Sequence, residues 1–293
     1  NALKLLNSRG EFLSAADGEQ VLKLAAKEEF EYAEVDELGT VVEKDYTPYH
    51  IDQVLALKLV NRDAIAQADL KVVVDAVNSV GGVVIPALLR ALGVKEIIEL
   101  NCEPTGHFAH NPEPIPENLT QIAAKMKESR ADLGIVVDPD VDRLALISEN
   151  GEMFGEEYTL VAVADYVLKH TPGNTVSNLS SSRALKDVTE AYGQQYHAAA
   201  VGEANVVAEM KRTHSVIGGE GNGGVIYPES HYGRDALVGV GLFLSHYVAQ
   251  SKKMTELKST YPPYFISKNK MTLSPDMDVD KILEGLKERY ATE

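Results

Sequence analysis

The sequence predicts an α/β protein: two consecutive α/β domains with mixed, mostly parallel sheets, and remnants of a flanking domain at each end. Three observations predict it. From Lys71 onward, apolar runs of strand length alternate with stretches of helical spacing, and unbroken runs of that kind fit parallel strands covered on both faces. The length of 293 residues corresponds to about two domains of usual size. Each end, finally, carries a strand and a helix with too little around them for a core of their own.

The elements follow in order. Ala2-Leu3-Lys4-Leu5-Leu6 reads as a strand and Asn7-Ser8-Arg9-Gly10 as the turn after it. Asp17 to Phe30 has helical spacing with Val21, Leu22, Leu24 and Ala25 on the apolar side, and a second amphipathic helix runs through Ile51, Val54, Leu55, Leu57 and Leu59. The first α/β series has strands at Val72 to Asp75, Glu96 to Leu100 and Leu133 to Val137, with helices at Ala87 to Leu92 and Leu119 to Ser129. Leu144 to Ile147 follows, and Asn150-Gly151 offers a hairpin turn that closes the series. The second series runs through the helix Tyr158 to Lys169, the strand Thr175 to Leu179, the helices Ala184 to Tyr192 and Ala204 to Arg212, the strand Ser215 to Ile217 and the helix Ala236 to Gln250. A strand at Lys270 to Leu273 and a helix at Asp280 to Tyr290 end the chain. The expected domains are 1–45, 46–152, 153–264 and 265–293.

Composition narrows the function. Hydrophobic residues at 44% and charged residues at 25% are the balance of an ordinary folded protein. A formal charge of −16 argues against nonspecific binding to nucleic acid or an anionic membrane. A phosphorylated metabolite would need a metal, gathered cations or backbone amides in one place. Cys102 is the single cysteine, which excludes an internal disulfide, suits a reducing cytoplasm and reads as a packing residue. No apolar run approaches the roughly 18 residues of a membrane helix, and Asn1 to Arg9 lacks a signal-peptide layout. With Asn rather than Met at its start, the chain is expected to be a processed or excised piece.

The sharpest motif is Asp138-Pro139-Asp140-Val141-Asp142-Arg143, directly after an apolar strand. Alternate carboxylates in an extended loop converge on one side, and hard oxygen ligands of this kind suit Mg²⁺. Strand carboxyl ends are also where open α/β sheets bind ligands. Two other readings stay open on these residues. Asp138, Asp140, Asp142 and Glu149 fall at positions one, three, five and twelve of a calcium loop, but Arg143 stands where that loop needs glycine. An apolar strand ending in Asp-x-Asp also resembles the aspartyl-nucleophile phosphatases of the haloacid dehalogenase type, with Asp138 as nucleophile; no clear acidic pair follows downstream.

The second motif is Gly218-Gly219-Glu220-Gly221-Asn222-Gly223-Gly224. Glycines allow close backbone approach to a ligand, while Glu220 and Asn222 can pair with sugar hydroxyls. Together the two loops resemble the α-D-phosphohexomutases, the family of phosphoglucomutase, phosphomannomutase and phosphoglucosamine mutase. That family has an Asp-Gly-Asp-x-Asp-Arg metal loop in its second domain and a Gly-Glu-x-Ser-Gly-His sugar loop in its third. Pro139 replaces the first glycine, and Asn222 and Gly224 replace the serine and histidine, in a form similar to that of archaeal-type members.

The resemblance covers nearly the whole chain. It implies Mg²⁺ on Asp138, Asp140 and Asp142, with Arg143 assisting catalysis. It also implies substrate contacts from Glu220 and Asn222, from Glu203 in the Val201-Gly202-Glu203 turn, from Ser182 and Arg183, and from Arg234 in Gly233-Arg234-Asp235. For Ser182, the residues alone equally support a helix N-cap. Asn1-Ala2-Leu3-Lys4 matches the family's Asn-x-x-Lys, so Lys4 takes the place of a lysine for proton transfer, and the phosphorylated serine of a Ser-His-Asn-Pro loop is expected just before the chain begins. His110-Asn111-Pro112 is not that loop, because Ala109 stands where its serine belongs. The implied reaction moves phosphate between C1 and C6 of a hexose phosphate through phosphoserine and a hexose bisphosphate, and this chain alone is expected to be inactive. A non-catalytic module binding Mg²⁺ and sugar phosphate is the competing class.

Overall fold

The computed structural model describes residues 4–266, 272–274 and 277–291. Lys270 and Met271 of the expected strand Lys270 to Leu273 lie outside them, as do Asn1 to Leu3, and Thr272 and Leu273 are not in a strand.

Two four-stranded sheets dominate. β1 (Lys71–Asp75), β2 (Glu96–Leu100), β3 (Leu133–Val137) and β4 (Leu144–Ser148) lie in the order β2-β1-β3-β4. β5 (Thr175–Asn178), β6 (Tyr196–Ala199), β7 (Ile217–Glu220) and β8 (Gly224–Ile226) repeat that order as β6-β5-β7-β8. In each sheet the first three strands are parallel and the last is antiparallel. The acidic loop joins β3 to β4, and the glycine-rich loop joins β7 to β8. The two motifs therefore occupy equivalent places in two copies of one topology.

β1, β3 and β4 of the first sheet are buried on both faces, which is why they read as apolar runs, while the edge strand β2 is only partly covered. Val72 and Val74 face one core with Ile85, Leu88, Leu89 and Leu92 of α4 (Gly81–Leu92). Val73 and Val136 face another core with Ile122 and Met126 of α5 (Thr120–Ser129). Each such aliphatic side chain contributes about 1.5–3 kcal/mol relative to exposure.

The two sheets share their larger core. α6 (Glu156–His170) and α9 (Ala236–Gln250) are apolar nearly all round, and they pack with residues of both sheets; Phe154 and Phe243 meet edge to face at 5.6 Å. α2 (Thr47–Ala56) and α3 (Arg62–Gln67) close the same core, tied by Asn61 N to Ser245 Oγ at 2.9 Å and by Tyr166 Oη to the Leu59 carbonyl at 2.8 Å. A smaller core lies under α8 (Glu203–Thr213), while α7 (Ala184–Ala191) and α10 (Met254–Lys258) complete the second unit.

The ends differ. α1 (Ala15–Lys27) forms where helical spacing predicts it, capped by Ser14, but buries none of its residues. α11 (Val279–Arg289) is likewise amphipathic and exposed. Leu6 makes a single antiparallel bridge with Phe12.

Candidate functional site

Asp138 shapes the acidic loop from inside. It is 1% exposed, and its Oδ1 accepts from the backbone amides of Asp142 (3.1 Å) and Arg143 (3.0 Å), while Arg143 Nε donates to Oδ2 at 2.8 Å. Burial and the charge of Asp142 push its carboxyl up to about 6 against the pull of Arg143. A carboxylate engaged on both oxygens is poorly presented for nucleophilic attack. Val141, between the other two aspartates, has φ +61°, the left-handed region that β-branched residues rarely enter. Ser79 Oγ anchors the loop through the Pro139 carbonyl at 2.7 Å.

Ligand atoms of Asp138, Asp140 and Asp142 lie within 4.8 Å of one another. The calcium-loop reading does not hold, because Glu149 sits past the far end of β4 and accepts from the Thr255 amide at 3.2 Å. Like-charge repulsion among the aspartates is relieved partly by side chains. Lys4 pairs with Asp140, and its Nζ lies 3.2 Å from Asp142 Oδ2. Burial lowers the Lys4 pKa, but the two aspartates outweigh it and raise the value on balance. Arg143 also reaches Glu113 at 2.9 Å.

The glycine-rich loop meets the acidic loop through backbone. Leu144 N donates to the Gly223 carbonyl at 3.0 Å; Gly223 has φ +90°, and a Cβ there would fall 2.4 Å from the Leu144 carbonyl oxygen. Only glycine allows this approach. Glu220 ends β7 at 4% exposure: Asn178 Nδ2 (2.7 Å) and Gly202 N (3.3 Å) donate to its Oε1, and Arg234 bonds its Oε2. Asn222 Oδ1 accepts from the Gly224 amide at 3.2 Å.

Arg234 gathers the site. Besides Glu220, its Nη2 donates to Asp142 Oδ2 at 2.6 Å, and Nε donates to Glu203 Oε2 at 3.0 Å. Burial pushes the Arg234 pKa down, but these carboxylates outweigh it, so the guanidinium stays charged. Ser182 and Arg183 lie at the start of α7: the Ser182 amide donates to Glu157 Oε2 at 2.9 Å, and its Oγ accepts from Ala184 N at 3.3 Å, a turn contact one residue before the N-cap, which is Arg183. Arg183 is exposed beside it.

Six carboxylates (Asp138, Asp140, Asp142, Glu203, Glu220 and, at the rim, Glu113) thus share three cations, Lys4, Arg143 and Arg234. The excess of negative charge suits a divalent cation. Asp142 Oδ1 is buried without a hydrogen-bond partner, a lone pair left open toward such an ion, and the all-oxygen donor set fits Mg²⁺.

Sequence reasoning missed Asn178, which orients Glu220, and the Asp235 cluster described below. A buried Asn at a strand's carboxyl end was the available signal for the first; two histidines of unremarkable spacing gave none for the second.

Comparison with known proteins agrees with this geometry. A family signature described as phosphoglucomutase/phosphomannomutase, alpha/beta/alpha domain II, matches residues 48–151, and the corresponding domain III signature matches 155–264. A phosphoglucomutase/phosphomannomutase of Thermococcus kodakarensis is 34% identical over 94% of this chain and 60% of its own length. A crystal structure of a phosphoglucomutase/phosphomannomutase family protein from Burkholderia thailandensis superposes with a TM-score of 0.74 at 26% identity, covering 86% of this chain and 53% of that one. The Aspergillus fumigatus N-acetylphosphoglucosamine mutase, solved with glucose 1,6-bisphosphate, shares the fold at a TM-score of 0.53 and 13% identity, over 73% of this chain and 49% of its own. The chain spans about 60% of the Thermococcus relative's length.

Proposed function

The chain belongs to the phosphoglucomutase/phosphomannomutase family, and from that premise we propose that it forms the metal- and sugar-binding centre of a Mg²⁺-dependent phosphohexomutase. The observation that carries this reading is the single cluster in which Arg234 joins an aspartate triad to Glu203 and Glu220. The reaction is transfer of phosphate between C1 and C6 of a glucose, mannose or glucosamine phosphate through a hexose bisphosphate, and the ligand in the Aspergillus structure supports a bisphosphate.

Asp138, Asp140 and Asp142 would hold Mg²⁺, which would supply stabilisation of charge on a transferring phosphoryl group. Arg143, kept in place by Asp138 and Glu113, presents guanidinium N–H groups to that charge. Lys4 holds a proton at Nζ next to the aspartates; as ammonium it can give that proton to a sugar oxygen, and the neutral amine left behind can take one from a sugar hydroxyl. Glu220, Glu203 and Asn222 select hydroxyls. For Glu220 this requires Arg234 to exchange a carboxylate for the ligand's phosphate, which matches the guanidinium's preference for bidentate oxyanions. Ser182 and Arg183 flank the sugar loop as further phosphate contacts. Burial and bonding of Asp138 count against the phosphatase reading.

The nucleophile is a phosphoserine that the sequence does not contain, since it has no Ser-His-Asn-Pro run. The test is a coupled mutase assay with the purified chain, Mg²⁺ and a bisphosphosugar activator, beside a version extended upstream through such a loop and downstream beyond residue 293. No turnover by the 293-residue chain and turnover by the longer one is the expected result. Equal turnover would overthrow the phosphoserine mechanism, and none from either would favour a non-catalytic binding module.

A further inference from the structure

Asp235 stands between two histidines and two loops. His50, on α2, brings its Nε2 to 2.7 Å from Asp235 Oδ2, and His231 Nε2 lies 2.9 Å from the same oxygen. The other oxygen caps α9, accepting from Leu237 N at 2.8 Å and Val238 N at 3.1 Å. The backbone amide of Asp235 donates to the Val225 carbonyl of β8 at 2.9 Å. Every polar group of this residue's side chain is thereby fixed, at 6% exposure.

The consequence reaches the aspartate loop through one amide. A helix start leaves several N–H groups without partners inside the helix, and Asp235 satisfies two of them. The Ala236 amide instead donates to the Val141 carbonyl at 3.1 Å. Val141 is the left-handed kink between Asp140 and Asp142, a conformation costing an L-residue about 1–2 kcal/mol. Such a kink persists only where its surroundings over-determine it. His50, Val80, Val84, Asp140, Val141, His231, Arg234 and Asp235 line one cavity of about 400 Å³, so helix, kink and ligand aspartate border the same space.

We propose that His50 is a positioning residue for the aspartate loop: by holding Asp235 it fixes the first turn of α9, and the Ala236 amide in turn holds Val141 in the kink that aims Asp140 and Asp142. Its consequence for Mg²⁺ rests on the reading given above. His50 reaches neither the metal ligands nor the sugar loop itself; it acts from a separate helix through two hydrogen bonds.

Amide-resolved hydrogen exchange on the 293-residue chain, with His50→Ala and His50→Gln, tests the coupling, because Gln keeps an N–H donor on a side chain of similar reach. Exchange at Ala236 should quicken about tenfold or more in His50→Ala and return to within about threefold in His50→Gln, while Val73 and Ile135 in the core strands exchange as in the parent. Mg²⁺ titrated calorimetrically should bind about tenfold more weakly to His50→Ala, the lower end of what groups behind metal ligands contribute. Unchanged exchange at Ala236, or equal acceleration throughout the core strands, overturns the proposal, as does an unchanged Mg²⁺ affinity. A parent chain that takes up no Mg²⁺ but shows the exchange effect sinks the metal reading and leaves the coupling standing.

Discussion

Arg234 Nη2 donates to Asp142 Oδ2 at 2.6 Å, although 92 positions separate the two residues, and because Arg234 also holds Glu220 it links the acidic loop of one sheet to the sugar loop of the next. The same guanidinium holds Glu203 and Glu220, whose side chains are 8% and 5% exposed. It is the counter-charge for three carboxylates.

Removing it leaves those carboxylates close together and poorly solvated. Arg234→Ala should therefore lower the unfolding free energy by about 3–5 kcal/mol at neutral pH, the range for breaking a buried ion pair from one side. Urea unfolding of parent and variant measures this. A loss below about 1 kcal/mol would mean that the pairs behave as surface ones.

The His50–Asp235 pair makes stability depend on pH in a defined direction. The hydrogen bond from His50 to Asp235 raises the His50 pKa against the effect of burial. Burial raises the Asp235 pKa, but the bonds from His231 and His50 outweigh it and hold the carboxyl well below the usual range. The depressed carboxyl stabilises above its unfolded pKa of about 3.9, and that contribution is lost as pH falls through the lower folded value. The raised imidazole stabilises fully below about 6.5, and its contribution is lost as pH rises through the higher folded value. The difference in melting temperature between parent and His50→Gln should therefore be largest between about pH 4 and 6.5 and shrink above it; a difference that grows from pH 6 to 9 would contradict the assignment.

Gly223→Ala tests the backbone junction of the two loops. With φ +90° and a Cβ 2.4 Å from the Leu144 carbonyl oxygen, alanine must displace the loop. The expected loss is about 1–3 kcal/mol of stability, the usual size of backbone strain at such sites. Thermal unfolding checks it, and Gly193→Ala, at φ +71° with open space around its Cβ, is the control that carries the conformational cost without the collision. Equal losses in the two variants would mean that the approach of Leu144 is unimportant.

The contrast between these residues explains what could be read in advance. β1 and β3 were legible because helices cover both of their faces, so Val72 to Val74 and Leu133 to Val137 run without a polar side chain. For β7 the expected strand Ser215 to Ile217 meets the observed Ile217–Glu220 only at Ile217, since Gly218 and Gly219 present no side chains; there a Cβ on Gly219 would meet the Gly224 carbonyl oxygen at 2.0 Å, and the strand pairs through bare backbone. β6 escaped notice because Tyr196 and His197 are only partly buried. The stripe on α1 predicted a helix correctly but not its environment, because periodicity reports a face and not what covers it. In the site, Asp138, Asp140 and Asp142 announced themselves by spacing. Glu203, Glu220 and Arg234 came together only through the family resemblance, because their convergence depends on how two sheets share α6 and α9. His50 belongs to no motif, and nothing in the sequence pairs it with Asp235, 185 positions away.

The central claim is that the aspartate loop and the sugar loop form one site, and thermodynamic linkage tests it most directly. Binding of glucose 1,6-bisphosphate to the chain should be measured calorimetrically with and without Mg²⁺, in the parent and in Asp140→Ala. The account predicts at least about fivefold tighter binding in the presence of Mg²⁺, an ordinary coupling between linked sites, and loss of that gain in Asp140→Ala. Equal affinity with and without Mg²⁺ in the parent, or a gain that survives Asp140→Ala, would contradict it.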